Sequence, residues 1–343
     1  MSQPSSHIDS NSSIHEQWRA LVARYHQPSR WRSSWQLANT LIPYAIALVL
    51  MYWSLSVSYW LTLALAVPTA GLLVRIFIIS HDCGHGAFFK SRRANDIVGG
   101  ITSFLCLTPY HYWKHEHAVH HASAGNLDER GRGDIWTMTV KEYTESSTIK
   151  KILYRIYRNP LVLFGVGAFS VFMLEYRIPP RKGTARDIKS VWRTNIVLAA
   201  VLVLAYFTIG LKAVALIQVP VFLLAAGAGA WLFYVQHQFE DVYWARDKEW
   251  DYVAACMQGS SYYKLPRVLQ WFTGNIGFHH IHHLSAKIPN YFLEKCHKEN
   301  PLMQQVHQLS IWSSLACMQY RLWDEERKQL ITFAQFRELQ RAA

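Results

Sequence analysis

The amino-acid sequence predicts an all-α integral membrane protein: four transmembrane helices in two hairpins, with a cytoplasmic helical cap that carries a di-metal histidine site. Three observations lead there. Long apolar runs occur in two pairs, basic residues gather at one end of each pair, and histidines cluster three times at helical spacing.

The apolar runs come first. Hydrophobic residues make up 51% of the chain and are concentrated in long stretches. One stretch covers residues 38–80, broken only by "SLSVS" at 54–58; the other covers 195–235, broken by "IGLK" at 209–212. Each half approaches the roughly 20 residues that cross a bilayer as a helix. The short breaks make each pair an antiparallel hairpin, with spans at approximately 38–54, 59–80, 195–210 and 213–235. Fourteen Trp and eighteen Tyr suit an extensive lipid–water boundary. The first 35 residues are polar, so no cleavable signal peptide is expected in them.

Charge orients the hairpins. Basic residues precede the first hairpin (Arg24, Arg30, Arg32) and fill the stretch between hairpins (Lys90, Arg92, Arg93, Lys150, Lys151, Arg181, Lys182, Arg186). Arg246 and Lys248 follow the second hairpin, while the far-side turns hold Lys212 alone. The positive-inside rule then puts both termini and the middle segment in the cytoplasm. The net charge of +12 is mostly topological, with anionic headgroups or an acidic soluble partner as counterparts. No separate basic stripe points to nucleic acid.

Two shorter apolar segments, 97–107 and 161–174, are expected in the membrane surface or the protein core. If 161–174 crossed in addition to the hairpins, the histidine clusters would land on opposite sides. Residues 1–35 form an N-terminal cytoplasmic segment whose serine-rich start reads as disordered. Residues 36–310 form the membrane domain, and 311–343 a cytoplasmic amphipathic helical segment that caps it. Arg75, less than two turns before His81, is expected to snorkel to the cytoplasmic face. Pro68, Pro220 and "AAGAGA" at 225–230 mark kinks or close helix contacts, and bulk at Gly227 or Gly229 is expected to reshape the space among the spans. Five scattered cysteines without a CxxC indicate reduced thiols.

The histidines carry the chemistry. "HDCGH" contains His81 and His85, "HAVHH" contains His117, His120 and His121, and "HHIHH" contains His279, His282 and His283 in the same H-x-x-H-H spacing. Spacings of three and four put the rings of each box on one helix face, with His280 pointing elsewhere. His237 lies where the fourth span leaves the membrane. His111 and His115 take no role from their spacing. Neutral imidazole is a common ligand for transition metals. Nine rings are too many for one metal; two metals of four to six coordination would use them and leave room for water or oxygen. "HEHAV" has Val119 where a zinc-protease motif needs its second histidine. The carboxylate di-iron bundles need two Glu-x-x-His motifs, and only Glu294–His297 exists here. A histidine-rich redox site is what remains.

The words around the boxes extend this reading. "HDCGHGAFF", "EHAVHHASAGNLDERGRGDIWTMTVKEY" and "NIGFHHIHHLSAKIPNY" resemble the membrane-bound fatty acid desaturase family, and within it the bacterial acyl-lipid delta-12 branch. The likeness covers roughly residues 35–310. It implies two irons bound by the eight box histidines and by one more histidine before the third box, for which His237 is the candidate. It also implies O2 as co-substrate and a cis double bond introduced into an acyl chain of a membrane lipid, of delta-12 type on a monounsaturated C18 chain.

Ligand histidines usually donate their second N–H to a carboxylate or carbonyl, and Asp82, Glu116, Asp128, Asp134 and Glu240 are candidates for that support. No flavin, dinucleotide or cysteine-cluster motif supplies electrons, so a separate donor such as ferredoxin or a cytochrome b5-like protein is expected on the basic face. Two rival classes remain open at this point: a membrane di-iron hydroxylase or ketolase, and a metal transporter. A transporter would carry its ligands near the bilayer midplane, and no histidine lies deep in a span.

Overall fold

The computed structural model describes residues 14–131 and 133–342. The serine-rich start, read above as disordered, lies outside the described residues. The chain opens with helix α1 (Ile14–Ala23), whose Leu21 and Val22 pack with Ile281, Leu284 and Leu293 near the third histidine box.

The first hairpin is α2 (Arg30–Ser54) and α3 (Tyr59–Gly84). Ser29 caps α2 by accepting from the Arg32 amide, and the hairpin turn is tied by Ser54 and Thr62, whose hydroxyl oxygens are 2.7 Å apart. At 1.5 Å per residue both helices exceed the ~30 Å hydrocarbon layer. Helix α3 is central, packed against α2 and against α4 (Arg92–Leu105). It is followed by α5 (Tyr110–Ser123). Gly99 lets the Tyr110 ring approach α4: a Cβ there would stand 2.4 Å from it.

Strand β1 (Met138–Thr139), α6 (Val140–Glu145) and α7 (Thr148–Tyr157) lead to a 71° bend. Beyond the bend lie a π-helical turn (Val162–Gly167) and α8 (Ala168–Met173). This bent pair is apolar enough to serve as a fifth span. Packing rules that out. One crossing more between the second box and His237 would separate them by the bilayer, yet the His120 and His237 rings are 5.0 Å apart.

The second hairpin is α9 (Ala185–Phe207) and α10 (Leu211–His237), turned by Gly210 at φ +81°. Helix α9 starts ten residues before the expected span because Thr184 and Asp187 form a capping box in the polar sequence ahead of it. Gly227 meets the Phe164 carbonyl, which a Cβ would approach to 2.6 Å, whereas Gly229 faces open space. Gly227 is therefore a contact between α10 and the π turn.

The remaining elements build the cap: α11 (Tyr252–Met257), β2 (Tyr262–Tyr263), α12 (Arg267–Phe272), α13 (His279–Leu284) and α14 (Asn290–Glu299). Then come β3 (Gln308–Leu309), α15 (Ile311–Ser314), β4 (Tyr320–Asp324), β5 (Gln329–Thr332) and α16 (Phe333–Ala342).

Two expectations need correction. The C-terminal segment is helical only in part: β4 and β5 form an antiparallel hairpin, and β1 joins β4 in parallel with Met138 opposite Leu322. The cause is two-sided burial. Leu322, Trp323, Leu330 and Ile331 are all buried, a pattern that suits strands, and the Asp324 carboxylate accepts from the Glu326 and Arg327 amides to fix the turn. Arg75, for its part, does not snorkel into water. It is buried under α12, where its Nε donates to the Thr40 hydroxyl at 3.0 Å, another N–H donates to the Trp271 carbonyl, and its guanidinium sits over the Trp271 ring.

Candidate metal centre

Four helices converge at one end of the two hairpins. His81 lies in the last turn of α3 and His85 caps it, with Gly86 at φ +68° ending the helix. Helix α5 carries His117, His120 and His121; α13 carries His279, His282 and His283; His237 is the last residue of α10.

These rings form two groups of facing nitrogens. His81, His85, His117, His121 and His282 offer ligand atoms that all lie within 4.8 Å of one another, and so do His120, His237 and His283. His279 joins the second group through His237, their Nε2 atoms being 2.9 Å apart. The groups are adjacent: the His121 and His283 rings stack at 4.2 Å.

The sequence reading placed the three rings of each H-x-x-H-H box together on one face. The structure divides them. His117 and His121, four apart, enter the five-ring group, while His120 enters the other. In α13 the division is reversed. His279 and His283, four apart, lie with His237 at centroid distances of 4.7 Å each, and His282 crosses to the five-ring group. Neighbours on a helix diverge by about 100°, so the two histidines of each H-H pair aim at different centres.

The donor set fits metal ions. Facing Nε2 pairs are 2.9 Å apart for His282 and His121 and 3.2 Å for His121 and His117. Two imidazoles bound to one ion at about 2.1 Å and at right angles would hold their nitrogens ~3.0 Å apart. The Nε2 atoms of His85 and His120 and both ring nitrogens of His283 are buried with no hydrogen-bond partner. Such orphaned polar atoms are costly, and a metal would satisfy them. Burial and the neighbouring imidazoles hold His117, His121, His282 and His283 well below the ordinary histidine range, so the rings are neutral and their lone pairs available.

Supporting partners fall into place for three rings. Asp82 Oδ1 lies 3.2 Å from His81 Nδ1, Asp134 Oδ1 lies 2.8 Å from His120 Nδ1, and the Gly259 carbonyl is 3.0 Å from His237 Nδ1. Two other candidate carboxylates are engaged elsewhere. Asp128 binds Arg246 at 2.5 Å and the Asp247 amide, and Glu240 accepts from the Tyr320 hydroxyl at 2.8 Å. Both belong to the joint between the cap and the C-terminal hairpin. Glu116 lies on α5 one turn before His120. His280 points out of both groups, its Nε2 lying 2.9 Å from the Met303 carbonyl. His115 pairs with Asp187 at 3.0 Å, and the His111 amide donates to Ser190, so both fasten α5 to α9. Sequence reasoning missed the Gly259 carbonyl, which has no side-chain signal.

Comparison with known proteins gives the family. The family model described as fatty acid desaturase matches residues 54–314. A fatty acid desaturase of Bacillus subtilis is 46% identical over 312 residues, covering 91% of this chain and 89% of that protein. The sn-1 oleoyl-lipid 12-desaturase of Anabaena variabilis is 29% identical, covering 71% of this chain and 69% of that protein. The chloroplastic sn-2 acyl-lipid omega-3 desaturase (ferredoxin) of Arabidopsis thaliana is 28% identical, covering 77% and 60%. The four apolar helices, the facing histidine groups and these relatives together define a membrane-bound oxidoreductase. This chain belongs to the fatty acid desaturase family.

Proposed function

We propose that this enzyme introduces a cis double bond of delta-12 type into a monounsaturated C18 chain of a membrane lipid, at a di-iron centre held by His81, His85, His117, His120, His121, His237, His279, His282 and His283. The observation that carries the reading is the pair of histidine groups at one end of four apolar helices. The delta-12 type is supported by the names of the Anabaena and Synechocystis relatives, both sn-1 oleoyl-lipid 12-desaturases.

With O2 and two electrons and two protons from outside, two bound irons would supply the oxidising power that takes two hydrogens from neighbouring methylenes and yields two waters. The chain's own residues do the rest. The spans dissolve and align the alkyl chain, which fixes which carbon pair reaches the rings. The half-buried Phe233, 5.1 Å from the His120 ring, and the buried inner turn of α3 (Ile79, Ser80, Cys83) keep bulk water from the reacting carbons. Asp82, Asp134 and the Gly259 carbonyl accept from the far sides of three rings and hold them in register. Both termini and all three boxes face the cytoplasm in this reading, and a separate electron donor, ferredoxin or a cytochrome b5-like protein, docks on the basic face. The Arabidopsis relative is named for ferredoxin.

Expression in a host that makes only monounsaturated lipid, followed by gas chromatography and double-bond location, tests the reaction. Linoleate-type product is expected. A monoene made from a saturated chain would refute the delta-12 type, and a hydroxylated chain without new unsaturation would refute desaturation. Cysteine labels at Ser56 and Thr184 should report opposite sides of the membrane.

A further inference from the structure

Asp82 is held by more than the histidine beside it. Its carboxylate is buried, and among the described residues it pairs with no lysine or arginine. Asn290, the first residue of α14, supplies two donors to one carboxylate oxygen: its backbone N–H at 2.7 Å and its side-chain Nδ2 at 2.8 Å, both to Oδ2. Oδ1 is left for His81 Nδ1. The Asn290 amide cannot turn away, because its own Oδ1 accepts from Gln36 Nε2 at 3.0 Å, and Gln36 sits on the first span. The Asn290 carbonyl accepts from Asn275 Nδ2 at 3.0 Å. Asn290 and Gln36 are 1% and 4% exposed, so no water competes for these bonds.

From this geometry we propose that Asn290, braced by Gln36, is a positioning residue for the His81 side of the metal centre. A carboxylate has two oxygens and can rotate about its Cβ–Cγ bond. Two N–H donors converging on Oδ2 fix that rotation and commit Oδ1 to the imidazole, which orients the ring so that its Nε2 faces the other four histidines. The bonds join α2, α3 and α14, so the first span and the element after the third box are tied to one ligand of the first. Partners of this kind commonly change metal affinity roughly 10- to 100-fold when removed. The inference rests on His81 being a metal ligand, as proposed above.

The test uses the full-length enzyme in lipid nanodiscs. Iron per chain and its rate of loss to a chelator would be measured for Asn290→Leu, Gln36→Leu, Asp82→Ala and the Asp82→Ala/Asn290→Leu double variant, alongside thermal unfolding of each metal-free protein. Asn290→Leu should lose iron at least roughly 10-fold faster, measured at a temperature where its metal-free form is still folded. Gln36→Leu should shift the rate in the same direction by less, and it serves if Asn290→Leu does not fold. In the Asp82→Ala background Asn290→Leu should add nothing, because its effect passes through that carboxylate. Equal iron retention in Asn290→Leu, or full additivity in the double variant, would overturn the proposal. His81→Ala separates the two ideas: unchanged iron binding there would refute the ligand assignment itself.

Discussion

The two histidine groups differ in exposure and in how they are supported. In the five-ring group His85, His117 and His121 are half-buried, whereas His120, His237 and His283 of the other group are buried throughout. The five-ring group takes its rings from α3, α5 and α13; the other takes them from α5, α10 and α13. In the buried group a carboxylate and a carbonyl hold two of the rings, through Asp134 and Gly259. In the five-ring group the support comes through Asp82 at His81. The difference teaches that the two groups form an open, half-buried side and a closed side whose rings are buried throughout.

Removing a ring should expose this asymmetry most strongly. The purified enzyme is expected to hold close to two irons per chain. Any single alanine change at His81, His85, His117, His120, His121, His279, His282 or His283 should abolish turnover. His283→Ala should lose more iron than His121→Ala, since four rings remain in the larger group; elemental analysis of both variants decides it, and equal losses would erase the distinction between the sides.

A smaller effect is expected from the carboxylate on the closed side. Asp134→Ala should weaken iron retention roughly 10- to 100-fold without unfolding the protein, read by chelator competition. Asp128→Ala should leave iron untouched, because its partners are Arg246 and the Asp247 amide.

Acidification should act more gradually. The folded-state values of His282 and His283 lie well below the usual 6.5, and that of His280 falls to about 3, pushed down chiefly by burial. The unfolded chain therefore binds more protons than the folded one below pH ~6.5, and stability rises with pH through that window. Metal-free protein should be steadiest above about pH 6.5 and lose stability progressively as pH falls from there toward about 3, the folded value of His280. Thermal unfolding at stepped pH measures it; a flat profile between pH 7 and 5 would contradict neutral buried rings.

The least effect is expected at His280. With its Nε2 at the Met303 carbonyl, His280→Ala should keep both irons and most turnover. Loss of one full iron in this variant would move His280 into the closed group and sharpen the count of its ligands.

Much of this was legible in the chain. Paired apolar runs marked four helices because a bilayer demands about twenty apolar residues at a time, and that constraint is written in composition. The histidine spacings marked the rings because an imidazole cluster has few other uses and a helix repeats every 3.6 residues. The bounds of α9 were less legible, since a capping box begins the helix in polar sequence that hydropathy passes over. The strands β4 and β5 were misread as helix, because short apolar words such as "YRLWD" suit either state until a partner strand is present.

What the sequence alone determined is local: which stretches are apolar enough for a membrane, which turns join them, and which residues can ligate a metal. What only the tertiary structure decided is which histidine rings face one another. The i, i+4 pair of α5 goes to the open side and that of α13 to the closed side, and His237 completes the latter from α10. Helical periodicity gives the angle between two rings on one helix. It cannot give the angle between helices brought together from residues 81 to 283, which depends on how α3, α5, α10 and α13 pack.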